Sequence, residues 1–256
     1  ALPSMQKILF RNLLAFFIVG AGLIRKPEKL EIHKGDIKFL FLRSFCGTIG
    51  IVCNFYAIDH LVLSDANMLN KLSPFFAIIF SYFILKERLT LFQGIAVVVA
   101  FIGALFIIKP TGNMTDPAAL IGMLGGAGAG AAYTYVRVLG KRGVNGKLVV
   151  MFFSAFTCLV ALPFVIGNFA PMKWWQTAAM IAAAFGGAGG QIFVTKAYYY
   201  APAKELSVFD YSQILFSALM GFLILGQRPD VFSILGYLII CATAVVMYFY
   251  NKNRNA

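Results

Sequence analysis

Long apolar runs separated by short polar stretches set the pattern of this chain. Nine such runs lie between charges, at 5–24, 39–58, 66–85, 91–108, 118–136, 148–167, 174–195, 206–225 and 231–250. A bilayer core about 30 Å thick takes roughly 20 apolar residues of helix, so each run predicts one membrane-spanning helix. A membrane β-barrel would instead show segments of about ten residues alternating apolar and polar. Ile78-Ile79-Phe80 and Val97-Val98-Val99 contradict that pattern. The connections are short, no Ser/Pro-rich linker occurs, and no stretch is long enough for a separate soluble domain. The predicted fold is all-α: one polytopic membrane unit. The first run reads as a genuine span rather than a secretory signal, because Arg11 interrupts it and no A-x-A-like cleavage end follows. The chain opens on Ala1 rather than methionine, which predicts processing or truncation.

Composition narrows the class. Of 256 residues 60% are hydrophobic and 12% charged, against roughly 45–50% and 25% in soluble domains. A mean hydropathy of +0.81 rules out disorder, which needs low hydrophobicity. Cys46, Cys53, Cys158 and Cys241 sit in apolar runs with no CxxC pairing, so they read as small buried hydrophobes rather than bridges or metal ligands.

The net charge of +12 is a matter of placement. Sixteen of the 22 Lys and Arg fall in alternate loops or at span ends facing them, in the segments 25–43, 86–88, 137–147, 196–204 and 252–254. By the positive-inside rule these face the cytoplasm, so the C-terminus is expected to be cytoplasmic. The membrane expected is the inner (plasma) membrane. The basic excess is thus a topology signal, and no nucleic-acid partner is expected, since no reader module accompanies it.

Shifting the chain by 140 positions lays Gly47–Arg88 on Gly187–Arg228 without a gap. Gly47 meets Gly187, Gly50 meets Gly190, Ala57 meets Ala197, Phe76 meets Phe216 and Arg88 meets Arg228, while the rise and fall of hydropathy repeats at the same offset. Residues 1–111 therefore form a first repeat and 112–256 a second. The partner of the 118–136 span would precede Ala1, so the expectation is a parent of ten spans whose first is missing here. An odd number of spans per repeat inserts the two halves in opposite senses. Inverted repeats enclosing a pathway are a transporter arrangement.

The residues then resemble a known family, the EamA-like branch of the drug/metabolite transporter superfamily, over essentially the whole chain. The likeness rests on Arg11 in the first span, on the stretch from Asp65 to Arg88 with Pro74 and its closing Leu85-Lys86-Glu87-Arg88, and on the Gly-rich helices opening each half. It implies ten helices, cytoplasmic termini and a central cavity that passes small organic molecules. Ile214 and Gln227 depart from the proline and glutamate such families often carry, which puts a kink in the eighth span in doubt.

Polar groups inside a span are costly, about 2.5–3.5 kcal/mol for a charge at the centre, and so call for a reason. In the third span Asn67, Asn70, Lys71, Pro74, Ile78 and Ser81 recur at helical steps and form one stripe. Pro74 removes a backbone donor and leaves carbonyls near Asn70 unpaired, which suits a surface lining a wet cavity and a kink or gate. In the eighth span Ser207, Asp210, Tyr211, Ser217 and Gly221 make the matching stripe, with Gln213 beside it. Lys71 either reaches the pathway or snorkels to the outer headgroups. Asp210 is a substrate anchor, a protonatable coupling group, or the partner in a structural hydrogen bond. Depth along the helices argues against a direct Lys71–Asp210 bridge. Tyr133, among the tyrosines near the stripes, could hold an ammonium group, and Gln191 would present its amide to the cavity. Asp65 and Glu205 read as helix-start carboxylates, Glu87 and Arg88 as turn residues, and Trp174 and Trp175 as the outer interface. Gly122, Gly126 and Gly130 are spaced for close helix packing rather than a phosphate loop, and Gly186-Gly187-Ala188-Gly189-Gly190 reads the same way.

The expected substrate-contacting set is therefore Asn67, Asn70, Lys71, Asp210, Tyr211, Gln213, Gln191 and Tyr133. No catalytic residue, metal site or cofactor is expected: His33 and His60 are the only histidines, and no HExxH, GxSxG or Cys/His cluster occurs. The function expected is a secondary carrier of small polar organic metabolites. Export of amino acids or related compounds by alternating access is the first reading, with proton coupling among the drivers and a monomer or homodimer as the working unit. Uptake of a cationic metabolite such as S-adenosylmethionine, or flipping of a lipid head group, are the alternatives within transport; a membrane-embedded enzyme is the alternative outside it.

Overall fold

A computed structural model describes residues 2–25, 32–86, 90–108, 117–201, 212–226 and 228–255. Among them are ten helices and no strand: α1 (Ser4–Arg25), α2 (Lys34–His60), α3 (Leu63–Asn70), α4 (Ser73–Leu85), α5 (Leu91–Ile108), α6 (Pro117–Lys141), α7 (Gly146–Gly167), α8 (Trp174–Tyr200), α9 (Ser212–Leu225) and α10 (Val231–Asn255). Seven stretches, the α3–α4 pair counted as one, are long and apolar enough to cross a membrane, and α5 is a shorter apolar helix. Every predicted run carries helix. The third does so in two pieces.

The 140-residue offset recurs in the helix boundaries. Lys34 and Trp174 open α2 and α8, His60 and Tyr200 close them, Leu85 and Leu225 end α4 and α9, and Leu91 and Val231 open α5 and α10. After α4 and α9 the chain turns through left-handed backbone at Lys86 (φ 55°) and Gly226 (φ 63°), again 140 apart.

The chain divides into two compact units, with the boundaries falling inside α2 and α6. The first comprises Ala1–Val52 and Tyr135–Ala201. In it α1 packs along both α7 and α8, with Val19, Leu23 and Val150 as a small apolar core that Met151 and Ile192 flank. Two of its helix contacts use glycines that the offset relates. At Gly47 of α2, an added Cβ would lie 2.9 Å from the Phe153 ring of α7 and from the Arg43 guanidinium. At Gly187 of α8, it would lie 2.8 Å from Nε of Arg11 in α1. Between α6 and α7, Gly143 adopts φ 77°. Val144 N–H donates to Leu139 O and Gly143 N–H to Gly140 O, the pairing by which a left-handed glycine closes a helix. Asn145 then caps α7 by accepting from Lys147 N–H at 2.9 Å.

The second unit comprises Cys53–Thr134 and Pro202–Ala256. Its main contact joins α5 to α10. Ala96, Ala100 and Ala104 recur every fourth residue in α5, are buried, and belong to one core with Ile240, Ala244 and Met247 of α10. A Cβ at Gly236 would stand 2.6 Å from Gly103 O, so the two backbones touch there. This is the small-residue crossing that membrane helices use in place of a hydrophobic driving force.

Candidate functional site

The interruption of the third span follows from its sequence. Pro74 has no N–H to offer the Asn70 carbonyl. Lys71 N–H still reaches Asn67 O, but Leu72 N–H falls back on Leu69 O, and Phe75 and Phe76 both donate to Leu72 O. One tightened turn thus separates α3 from α4. The freed carbonyls were expected to line a wet surface. Instead a Cβ built on Gly126 would lie 2.6 Å from Leu69 O and 3.4 Å from Asn70 O, and one on Gly130 would lie 2.6 Å from Ser73 O. Gly122 likewise meets Ala57 and Leu69 at 3.1 and 3.3 Å. The stripe of α6 glycines is therefore where α6 presses on the broken span, with no room for any side chain.

Around this break the second unit gathers polar groups. Asn67, 6% exposed, donates from Nδ2 to Leu63 O at 2.9 Å and accepts at Oδ1 from Gln213 Nε2 of α9 at 3.3 Å. This amide pair links the two spans whose stripes were expected to match. Gln213 is exposed, while Asn70 and Lys71 at the break and Tyr133 on α6 are half-buried, and Pro74 is buried. Gln191 lies in the first unit, where its Nε2 donates to Thr195 Oγ1 at 3.1 Å along α8. Asp210 and Tyr211, with Ser207, Glu205, Glu87 and Arg88, lie outside the described residues.

Asp65 was expected as a capping carboxylate at a helix start, and it stands in the first turn of α3, although the cap position is Val62 and carries no side-chain cap. Asp65, 6% exposed, also accepts from the Tyr237 hydroxyl of α10, whose oxygen lies 2.8 Å from Ser64 Oγ. Tyr237 was missed by sequence reasoning, because a tyrosine inside an apolar run carries no mark of its own. Arg43 was counted with the cytoplasmic charges. It is 2% exposed and its guanidinium lies 3.8 Å from the Phe153 ring centroid, a geometry in which the ring's negative face receives a cation. The signal available was Gly47, one turn further along α2. Nearby, Thr48 and Thr157 share a hydrogen bond at 2.8 Å. The second glycine run behaves unlike the first. Gly186, Gly189 and Gly190 have nothing within 4 Å of an added Cβ, and Gly187 alone is approached closely, by the Arg11 side chain of α1.

Trp174 and Trp175 are 83% and 54% exposed at the start of α8, as an interface pair would be. No cluster of three or more His, Cys, Asp or Glu able to hold a metal occurs among the described residues.

Comparison with known proteins agrees with this architecture. A crystal structure of another protein superposes with a TM-score of 0.69 at 18% identity, over 98% of this chain and 90% of that one, which shows the fold. The pseudopaline exporter CntI of Pseudomonas aeruginosa is 29% identical over 248 residues, covering 96% of this chain and 86% of the exporter. Human solute carrier family 35 member G1 is 24% identical over 254 residues, covering 92% of this chain and 69% of the carrier. The EamA-like transporter family matches residues 1–109 and 120–249. Those matches, with helices built to cross a lipid bilayer, make the chain a multi-pass membrane transporter of small molecules rather than an enzyme: it belongs to the EamA-like transporter family.

Proposed function

We propose that the protein is an inner-membrane secondary carrier that exports small polar metabolites, amino acids or compounds of that kind, by alternating access. The observation that carries this reading is the Asn67–Gln213 amide pair beside the break of the third span. Interrupted helices and polar side chains within a membrane are where carriers place their substrates. The pair offers donors and acceptors to a zwitterion, Lys71 stands one turn further along the chain, and Asp210 and Tyr211 are by the repeat the counterparts of Asn70 and Lys71 on the eighth span's stripe. Export is the direction that the name of CntI gives for that relative. The helix boundaries recurring at an offset of 140 support two repeats, 1–111 and 112–256; an odd number of spans in each would insert them in opposite senses, and the placement of Lys and Arg would put the C-terminus in the cytoplasm.

The test is a proteoliposome screen of amino acids, amines and nucleosides, with and without a pH gradient, comparing the parent with Asn67→Ala, Gln213→Ala and Asp210→Asn. One solute class should move, all three variants should lose most of that transport while remaining folded, and a gradient effect should disappear with Asp210→Asn. Unchanged transport in all three variants would overturn the site.

A further inference from the structure

We propose that the first unit holds an anionic phospholipid of the lysine-rich leaflet in a cleft between α1, α7 and α8. The cleft has a volume of about 630 Å³ and belongs entirely to that unit. Its floor is apolar, made by Val19 of α1, Val150 of α7 and Ile192 of α8. Its basic and polar lining comprises Lys147 in the first turn of α7 and Lys196 in the last turns of α8, together with Asn145 and Tyr199. A cavity apolar along one side and cationic at one end fits an acyl chain joined to a phosphate, and does not fit a free polar solute, which would leave the floor unused.

Three further observations support that occupant. The cleft lies where α1 and α8 end and α7 begins, at the helix ends that carry the lysine-rich loops, so its charged head falls at headgroup depth. Anionic lipids collect on such surfaces, and basic pockets between membrane helices at that side bind their head groups. Space has also been left open: a Cβ at Gly22 of α1 would meet nothing within 4 Å, and one at Gly146 would meet only the Tyr199 ring, at 3.7 Å. Finally, Phe193 and Tyr200 of α8, each 73% exposed, also line the cleft and present aromatic surface to an acyl chain. The lipid would brace α1 against α8. This assignment stands apart from the carrier's substrate, which we place in the second unit, and its test needs no transport.

Native mass spectrometry of the delipidated full chain reads it directly, with phosphatidylglycerol and phosphatidylcholine of equal acyl length as probes. One phosphatidylglycerol should be retained per protein under conditions that strip phosphatidylcholine. A lysine near a membrane surface contributes about fivefold in affinity for an anionic lipid, so Lys147→Gln with Lys196→Gln should lower retention by about 25-fold. Gly22→Phe, which fills the cleft and leaves both charges, should also lower it. Lys34→Gln with Lys38→Gln, at the same membrane side on α2, should not. Equal retention of the two lipids by the parent would overturn the proposal. So would a loss as large in the α2 pair as in the cleft pair, or undiminished phosphatidylglycerol in Gly22→Phe. Size-exclusion profiles of each variant separate a lost site from a lost fold.

Discussion

Gly126→Ala is the sharpest probe of the broken span. The new methyl would sit 2.6 Å from the Leu69 carbonyl oxygen, whereas a carbon resting on a carbonyl oxygen prefers about 3.3 Å or more. The neighbour is backbone, so no side chain can swing aside. Helix α6 must back away from α3 by about 0.7 Å, or the tightened turn must distort, and overpacking of this kind costs about 1–3 kcal/mol. Alanine is also the better helix former by up to ~1 kcal/mol, which would mask part of the loss. Gly189→Ala in α8 carries the same propensity gain with nothing within 4 Å of its methyl, so the difference between the two variants isolates the packing. At roughly 2–4 °C per kcal/mol for a chain of this size, Gly126→Ala should melt about 2–12 °C below Gly189→Ala in a detergent thermal-shift assay. If the two melt together, α6 is not pressed on the break and the account of the third span fails.

Other consequences can be checked in the same preparation. Asp36 accepts a hydrogen bond from Arg142 Nε, so Arg142→Gln should lower the melting temperature; Arg142→Gln with Asp36→Asn should recover part of the loss, and a double variant as weak as the sum of the singles would deny the pair. Gln6 is fully buried and both donates to and accepts from the Ala170 backbone at 3.0 Å, so Gln6→Leu should lower stability by about 1–3 kcal/mol through two unsatisfied backbone groups; an unshifted melting curve would refute that anchoring. In a cysteine-free background, Lys34→Cys and Lys173→Cys, at the starts of the repeat-related helices α2 and α8, should react with an impermeant maleimide from opposite sides of the membrane. Labelling from one side would end the inverted-repeat reading.

The helices were legible because membrane burial writes itself as run length, and all nine runs returned as helix. The break in the third span was half legible: Pro74 announced a lost donor, but sequence periodicity could not show that Gly126 and Gly130 would cover the freed carbonyls. Both glycine runs looked alike in sequence. One lies against backbone and the other is largely open, because glycine spacing states what a helix can accommodate and not what arrives. The burial of Arg43 was hidden for a related reason. Its nearness to a cluster of loop charges gives no sign of the aromatic ring that tertiary packing brings against it. Tyr237 was invisible, since its partner Asp65 lies 172 positions away and no local pattern joins them.

Helices α2 and α8 have 27 residues each, about 40 Å of length. Hydrocarbon about 30 Å thick is shorter than that. These two rods must lean or push their ends among the headgroups. Acyl-chain length in the host membrane is therefore felt directly by both, which makes the thickness of the bilayer itself a setting on how this protein stands.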